Sequence, residues 1–237
     1  MKVLRVLAVG AHPDDIEFLC AGTLARYARQ GHEVVMGVVC SGDKGRVGTP
    51  AAEVVAIRER EAHAASALIG AKLFMLGLGD GEIHPEHPEI KRLFLDLVRQ
   101  ARPHVIIAHH PADYNPDHVC SGELLKEASF YASVAGMESA YPALEWVPSI
   151  YFMDTVVGLE FSPQEYVDIT DTLETKLAMM SAHQSQFAWL KAHDRIDALE
   201  LIRTVARFRG LQCGVPFAEG FISYRAWGRP VPYRQLP

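Results

Sequence analysis

The sequence predicts an α/β fold: a single-domain, Rossmann-like three-layer sandwich, with a mostly parallel sheet and helices on both faces. Three observations predict it. Short, nearly all-apolar runs at 3–9, 33–39 and 104–109 have the composition of strands buried on both faces. Stretches of helical period lie between and after them, at 17–30, 52–69 and 88–102. Glycine or proline punctuates each change of period. Strands and helices that alternate in this way build a parallel sheet. The 237 residues are read as one domain over 1–237, long enough to bury a core of its own.

The first strand, 3–9, runs into a turn bracketed by Gly10 and Pro13. The helix over 17–30 then carries Ala21, Leu24, Ala25 and Ala28 at helical spacing and stops at Gly31. Residues 33–39 are the second strand and complete a βαβ unit. The glycine-rich loop after it, 40–50, matches neither GxxxxGK[ST] nor GxGxxG, so it is read as a mobile substrate lid and not as a phosphate cradle. A helix at 52–69, a third strand at 72–76, a turn at 78–81 and a helix at 88–102 lead to the fourth strand, 104–109. A helix over 119–132 begins just after Asp117 and His118.

Residues 131–165 read as a long irregular connection interrupted by a strand at 150–156. An extended stretch at 166–169 and helices at 171–186 and 193–210 follow. The proline-rich tail, 229–237, is extended and available for a dimer contact, which makes a homo-oligomer an expectation.

Charge and cysteine content narrow the partners. Lys and Arg number 23 against 29 Asp and Glu, a net charge of −6, and no basic stripe gathers phosphates, so a nucleic-acid partner is not expected. The densest charged run, 58–61, alternates in sign. The four cysteines are scattered without a CxxC pair, as in a cytoplasmic protein with reduced thiols. No apolar run approaches the ~18–20 residues of a membrane span, and residues 1–5 carry no secretion signal, so no membrane association is expected.

Two stretches concentrate the chemistry. His12, Asp14 and Asp15 sit on the turn after the first strand, at the sheet edge where open α/β folds keep their ligands. A histidine nitrogen and a carboxylate oxygen across such a turn can hold one Zn2+ at roughly 2.0–2.2 Å; as a bare loop, the same residues would simply cap a helix. His109, His110, Asp113, Asn115, Asp117 and His118 follow the fourth strand. If the first and fourth strands are neighbours, the two loops meet. His118 lies in a first helical turn, whose dipole favours the neutral imidazole that a metal needs.

Ala11-His12-Pro13-Asp14-Asp15-Ile16-Glu17 resembles the opening signature of the PIG-L / LmbE-like family of zinc-dependent N-deacetylases. Pro116-Asp117-His118 matches three residues of that family's His-Pro-Asp-His motif, with Asn115 in place of the first histidine. Arg58 and Glu61 fall on its Arg-x-x-Glu spacing, Asp80 on its Leu-Gly-x-x-Asp-Gly pattern, His183-Gln184-Ser185-Gln186 on His-x-Ser-Gln, and Ala218-Glu219-Gly220-Phe221 on Ala-Glu-x-Phe. The likeness runs from residue 3 to about 221.

The resemblance implies hydrolysis of an N-acetyl group on a small N-acetylglucosamine-like sugar or glycoconjugate. Zinc would be held by His12, Asp15 and His118, a set that also accepts Fe2+, Mn2+ or Co2+. Asp14 would act as general base toward a metal-bound water, with Asp117 and Asn115 beside it. Asn115 can donate a hydrogen bond but cannot supply a proton, so either Asp14 does all the acid–base work or His109 or His110 stands in. Arg58, Asp80, Asp43 and His110 are candidates for substrate contact. The loops at 41–51 and 131–149 are expected to shape specificity. His183 reads as a structural histidine, and Glu219 as either facing the site or pinning a loop. The alternatives are another metal-dependent amidase or hydrolase and a non-catalytic sugar-binding protein.

Overall fold

The computed structural model describes residues 3–45, 48–193, 195, 197–227, 229, 231 and 233–237. Arg46 and Val47 of the glycine-rich loop, and part of the proline-rich tail, lie outside the described residues. Strands β1 (Arg5–Gly10), β2 (Glu33–Cys40), β3 (Lys72–Leu78), β4 (Val105–Ala108), β5 (Ser149–Met153), β6 (Glu165–Asp168) and β7 (Ala218–Ser223) form one sheet in the order β3-β2-β1-β4-β5-β7-β6. The first five strands pair in parallel; β7 runs antiparallel to both β5 and β6. The α/β sandwich read from the sequence is therefore the observed architecture.

Successive side chains of a strand face opposite sides, and in β1 both sides are apolar. Val6 and Ala8 join one core cluster, together with residues of α1 (Asp15–Leu19), α2 (Ala21–Arg29), α6 (Leu173–Ser181) and α8 (Ala198–Cys213). Leu7 and Val9 join the other, which packs against α4 (Pro88–Ala101) and α5 (Pro116–Tyr131). Helices thus cover both faces of the sheet. Among the described residues no helix is long and apolar enough to cross a membrane.

The departures from the expected elements have local causes. The helix expected over 17–30 is two helices, broken at Cys20 (φ −144°, ψ 8°). The break exposes the N-terminus of α2, where the Glu219 carboxylate accepts from Gly22 N (3.0 Å) and Thr23 N (2.7 Å). The helix expected over 171–186 likewise divides into α6 and α7 (Gln184–His193), with buried His183 between them. The last helix starts at Ala198 because the Asp197 side chain caps it, accepting from Leu199 N and Glu200 N. Residues 131–149 are held on the α4 side of the sheet by Arg99, which donates to the carbonyls of Ala132, Val134, Met137 and Tyr141.

Candidate metal centre

β1 is the point at which the strand order reverses: β2 and β3 lie to one side of it, β4 and β5 to the other. The crevice outside the carboxyl ends of β1 and β4 is where such sheets bind ligands. The turns after those two strands lie there side by side, tied together by Ala11 N donating to His109 Nε2 (3.0 Å).

Asp15, the first residue of α1, is the centre of the arrangement. Its Oδ2 accepts from the backbone N of His12 (2.7 Å), and its Oδ1 lies 3.3 Å from His118 Nε2. His12 Nδ1 is 3.5 Å from Asp15 Oδ2. The ligand atoms of His12, Asp15 and His118 all lie within 4.8 Å of one another. Two bonds of about 2.1 Å at a tetrahedral angle hold ligand atoms about 3.4 Å apart. The two spacings from Asp15 to the histidines are close to that value.

Each imidazole is oriented from behind. His12 Nε2 meets Asp117 Oδ2 at 3.1 Å, and His118 Nδ1 meets Asp113 Oδ2 at 3.2 Å. A carboxylate behind each histidine fixes the ring and raises the basicity of the nitrogen that faces the metal. His118 also stacks on His109, with ring centroids 3.8 Å apart.

Carboxylates outnumber cations here, and the ionisation of the histidines reflects it. Burial works against a charge on His12, but hydrogen bonds to Asp117 and Asp15 outweigh it and raise its pKa to about 10. Burial likewise opposes a charge on His118, yet Asp15 and Asp113 raise its pKa to about 9. Burial also disfavours the Asp15 anion, which His118, His109 and His12 nonetheless hold well below the usual carboxylate range. His109, fully buried, is pushed down to about 4 by burial and by the charge of His118. The field that retains protons on His12 and His118 is the field a divalent cation would meet.

Asp14 occupies the N-cap position of α1 but does not cap it with its side chain. Its backbone is at φ 126°, ψ −22°, and its side chain makes no cap hydrogen bond. A non-glycine residue with positive φ carries strain of order 1–3 kcal/mol that the surroundings must hold. Arg58 holds it, with Nη2 3.3 Å from Asp14 Oδ1 and 2.5 Å from Pro13 O. Burial raises the Asp14 carboxyl to about 6, with Arg58 acting in the opposite direction.

Arg58, in the alternating run 58–61, is only 3% exposed and points inward rather than to solvent. Glu61 accepts from Ser185 N (2.8 Å) and Oγ (2.6 Å), docking α7 onto α3 (Ala51–Ala67). The glycine-rich loop meets the guanidinium: Arg58 Nη1 lies 3.4 Å from Gly42 O, and a Cβ on Gly42, at φ +73°, would stand 2.4 Å from it. Only glycine fits there.

The remaining sequence candidates divide. Asp80 lines the cavity, but its carboxylate accepts from Gly42 N (2.9 Å) and Lys44 N (3.2 Å), while Asp43 Oδ1 accepts from Asp80 N (2.8 Å). Together they tie the glycine-rich loop to the turn after β3. His110 packs edge-on against Phe152 and Phe161 and is not among the cavity-lining residues. Asn115 lines the cavity, yet its Oδ1 accepts from Asp117 N (2.9 Å) as the N-cap of α5. Residues 131–149 contribute nothing to the cavity wall; α7 and α8 do, through Gln186, Trp189, Leu190 and Leu201. His183 lies 3.3 Å from Glu17 in the interior, and Glu219 pins α2.

Sequence reasoning missed Asp113. It stands in the His109–His118 cluster, but nothing in the spacing marks it over Asp117. His109, considered as a stand-in acid, is fully buried beneath Asp15 and ties the two turns together.

Residues 7–129 match the model of the PIG-L family, described as GlcNAc-PI de-N-acetylase. A diacetylchitobiose deacetylase from Thermococcus kodakarensis is 29% identical over 240 aligned residues, covering 92% of this chain and 82% of that one. The structure of N,N'-diacetylchitobiose deacetylase from Pyrococcus horikoshii matches with a TM-score of 0.78 at 26% identity, over 92% of this chain and 83% of that one. A 4-carboxy-2-hydroxymuconate hydratase from Pseudomonas putida matches with a TM-score of 0.80 at 25% identity, over 100% of both chains.

Proposed function

Because this chain belongs to the PIG-L family of de-N-acetylases, we propose that it removes the N-acetyl group of an N-acetylglucosamine-like sugar or glycoconjugate, with a divalent metal held by His12, Asp15 and His118. The observation that carries the reading is the convergence of those three residues at metal-ligand spacing, with Asp14 lining the same cavity. When bound there, an ion such as Zn2+ supplies Lewis acidity and makes water nucleophilic near neutral pH.

Asp14, oriented by Arg58, takes a proton from the attacking water as it adds to the acetamide carbonyl. The carbonyl π electrons move onto oxygen. When they return, the C–N bond breaks, acetate forms, and Asp14 hands the proton to the departing amine. Asn115, its oxygen engaged by the helix cap, presents its amide N–H group to the carbonyl oxygen. Asp117 and Asp113 hold the two histidines in place throughout.

The test is amine and acetate release from a panel of N-acetylglucosamine derivatives, on metal-stripped protein with and without added Zn2+. Equal, zinc-restored release of both products is expected. No release from any member by zinc-loaded protein would overturn the reading. The end-to-end likeness to a hydratase, together with Asn115 where the family motif has a histidine able to carry a proton, favours one second reading: addition of water to an activated C=C bond, which has no amine to protonate. Loss of the ultraviolet absorbance of a conjugated unsaturated acid would distinguish it.

A further inference from the structure

The cavity over the metal ligands measures about 380 Å3, the size of a small-molecule site. Its lining is of two kinds. The polar part holds the ligands with Asp14, Lys44, Arg58, Asp80, Asn115 and Gln186. The rest is an apolar wall drawn from four separate parts of the chain, Phe18 of α1, Val156 after β5, Trp189 and Leu190 of α7, and Leu201 of α8, together with Tyr114. Those five are half-buried, and Tyr114 is 61% exposed. Phe18, Val156 and Leu190 pack on the core and also meet the cavity. Removing an acetyl group uses none of them, and the acetyl methyl is far too small to cover them. Scattered exposed apolar residues need no explanation, but a set converging on one cavity beside a catalytic centre does.

We infer that this wall is an apolar subsite and that the substrate carries an alkyl or aryl group larger than the acetyl methyl. The group can enter as a longer N-acyl chain or as an apolar aglycone on the sugar; both present the same chemistry to the wall. The inference rests on the amide-hydrolase reading for where the substrate sits, but the affinity of the wall for an apolar group does not depend on turnover.

The experiment compares methyl and hexyl glycosides of N-acetylglucosamine, and N-acetyl with N-hexanoyl forms of the methyl glycoside. Zinc-loaded protein gives kcat/KM by amine release. Calorimetry on zinc-loaded Asp14→Asn protein gives Kd without turnover. Each buried methylene is worth about 0.8 kcal/mol, or about fourfold in affinity, so a gain of about tenfold or more is expected in one arm. A gain in the glycoside arm identifies an aglycone site; a gain in the acyl arm identifies an acyl-chain site. Leu190→Asp and Leu201→Asp, checked for folding by circular dichroism, should each bring that ratio toward one. No gain in either arm, in turnover or binding, overturns the subsite even if acetate is released. A binding gain without amine release from any member keeps the subsite and overturns the deacetylase reading.

Discussion

Two buried charged clusters, one at Asp15 of α1 and one at the N-terminus of α2, are built on opposite principles. Around Glu219, every carboxylate has its own cation: Lys176 Nζ lies 2.5 Å from Glu219 Oε1, and Arg209 Nε lies 2.6 Å from Asp154 Oδ2. The helix N–H groups of Gly22 and Thr23 complete the Glu219 oxygens. That cluster is neutral pair by pair. Around Asp15, carboxylates face histidines and one arginine, and the cluster opens onto a cavity. Charge matched inside the protein holds the fold; charge left unmatched beside a cavity waits for a ligand.

Breaking the unmatched cluster should abolish function without unfolding the chain. Asp15→Ala is expected to lose both the bound metal, by elemental analysis, and all measurable amine release, since it removes the carboxylate that both histidines face. Asp14→Asn should keep one equivalent of metal while turnover falls about 10²–10⁴-fold, the usual contribution of a general base. Retained turnover would remove Asp14 from that role. The matched cluster should respond in the other currency. Lys176→Met leaves Glu219 buried without its cation and is expected to cost about 3–5 kcal/mol in denaturant unfolding, with metal content per folded molecule unchanged.

Smaller effects sharpen the contrast. Asp113→Asn should weaken metal affinity about 10–100-fold, because it loosens His118 without removing it. Asn115→Ala should cost about 1 kcal/mol of stability through the lost cap of α5 and lower turnover, without deleting an ionisation from the pH–rate profile. Disappearance of an ionisation would show that Asn115 does not act as a neutral donor.

Much of this was legible in the chain. Buried parallel strands announce themselves by apolar runs, and β1 to β4 are found within a residue or two of their expected ends. His12, Asp14, Asp15 and His118 stand out because histidines and carboxylates gather at strand ends, where an α/β sheet leaves backbone and side chains open to ligands. The breaks at Cys20 and His183 were not legible: the helical period continues through both. They occur because partners distant in sequence, Glu219 and Glu17, engage the chain there. β7 was missed as a strand because a lone six-residue segment with three small residues carries little pattern of its own.

The sequence alone determined the α/β class, the two loops that carry the chemistry and the residue types in them, because period and residue chemistry are local properties. Tertiary structure decided which residues act together. Pairing β1 with β4 sets Asp15 between two histidines 106 positions apart in number and places Asp113 behind one and Asp117 behind the other, while the docking of α3 brings Arg58 onto Asp14. It also moved the second wall of the cavity from 131–149 to α7 and α8. Contacts between distant segments depend on strand order and helix docking, and no local pattern encodes those.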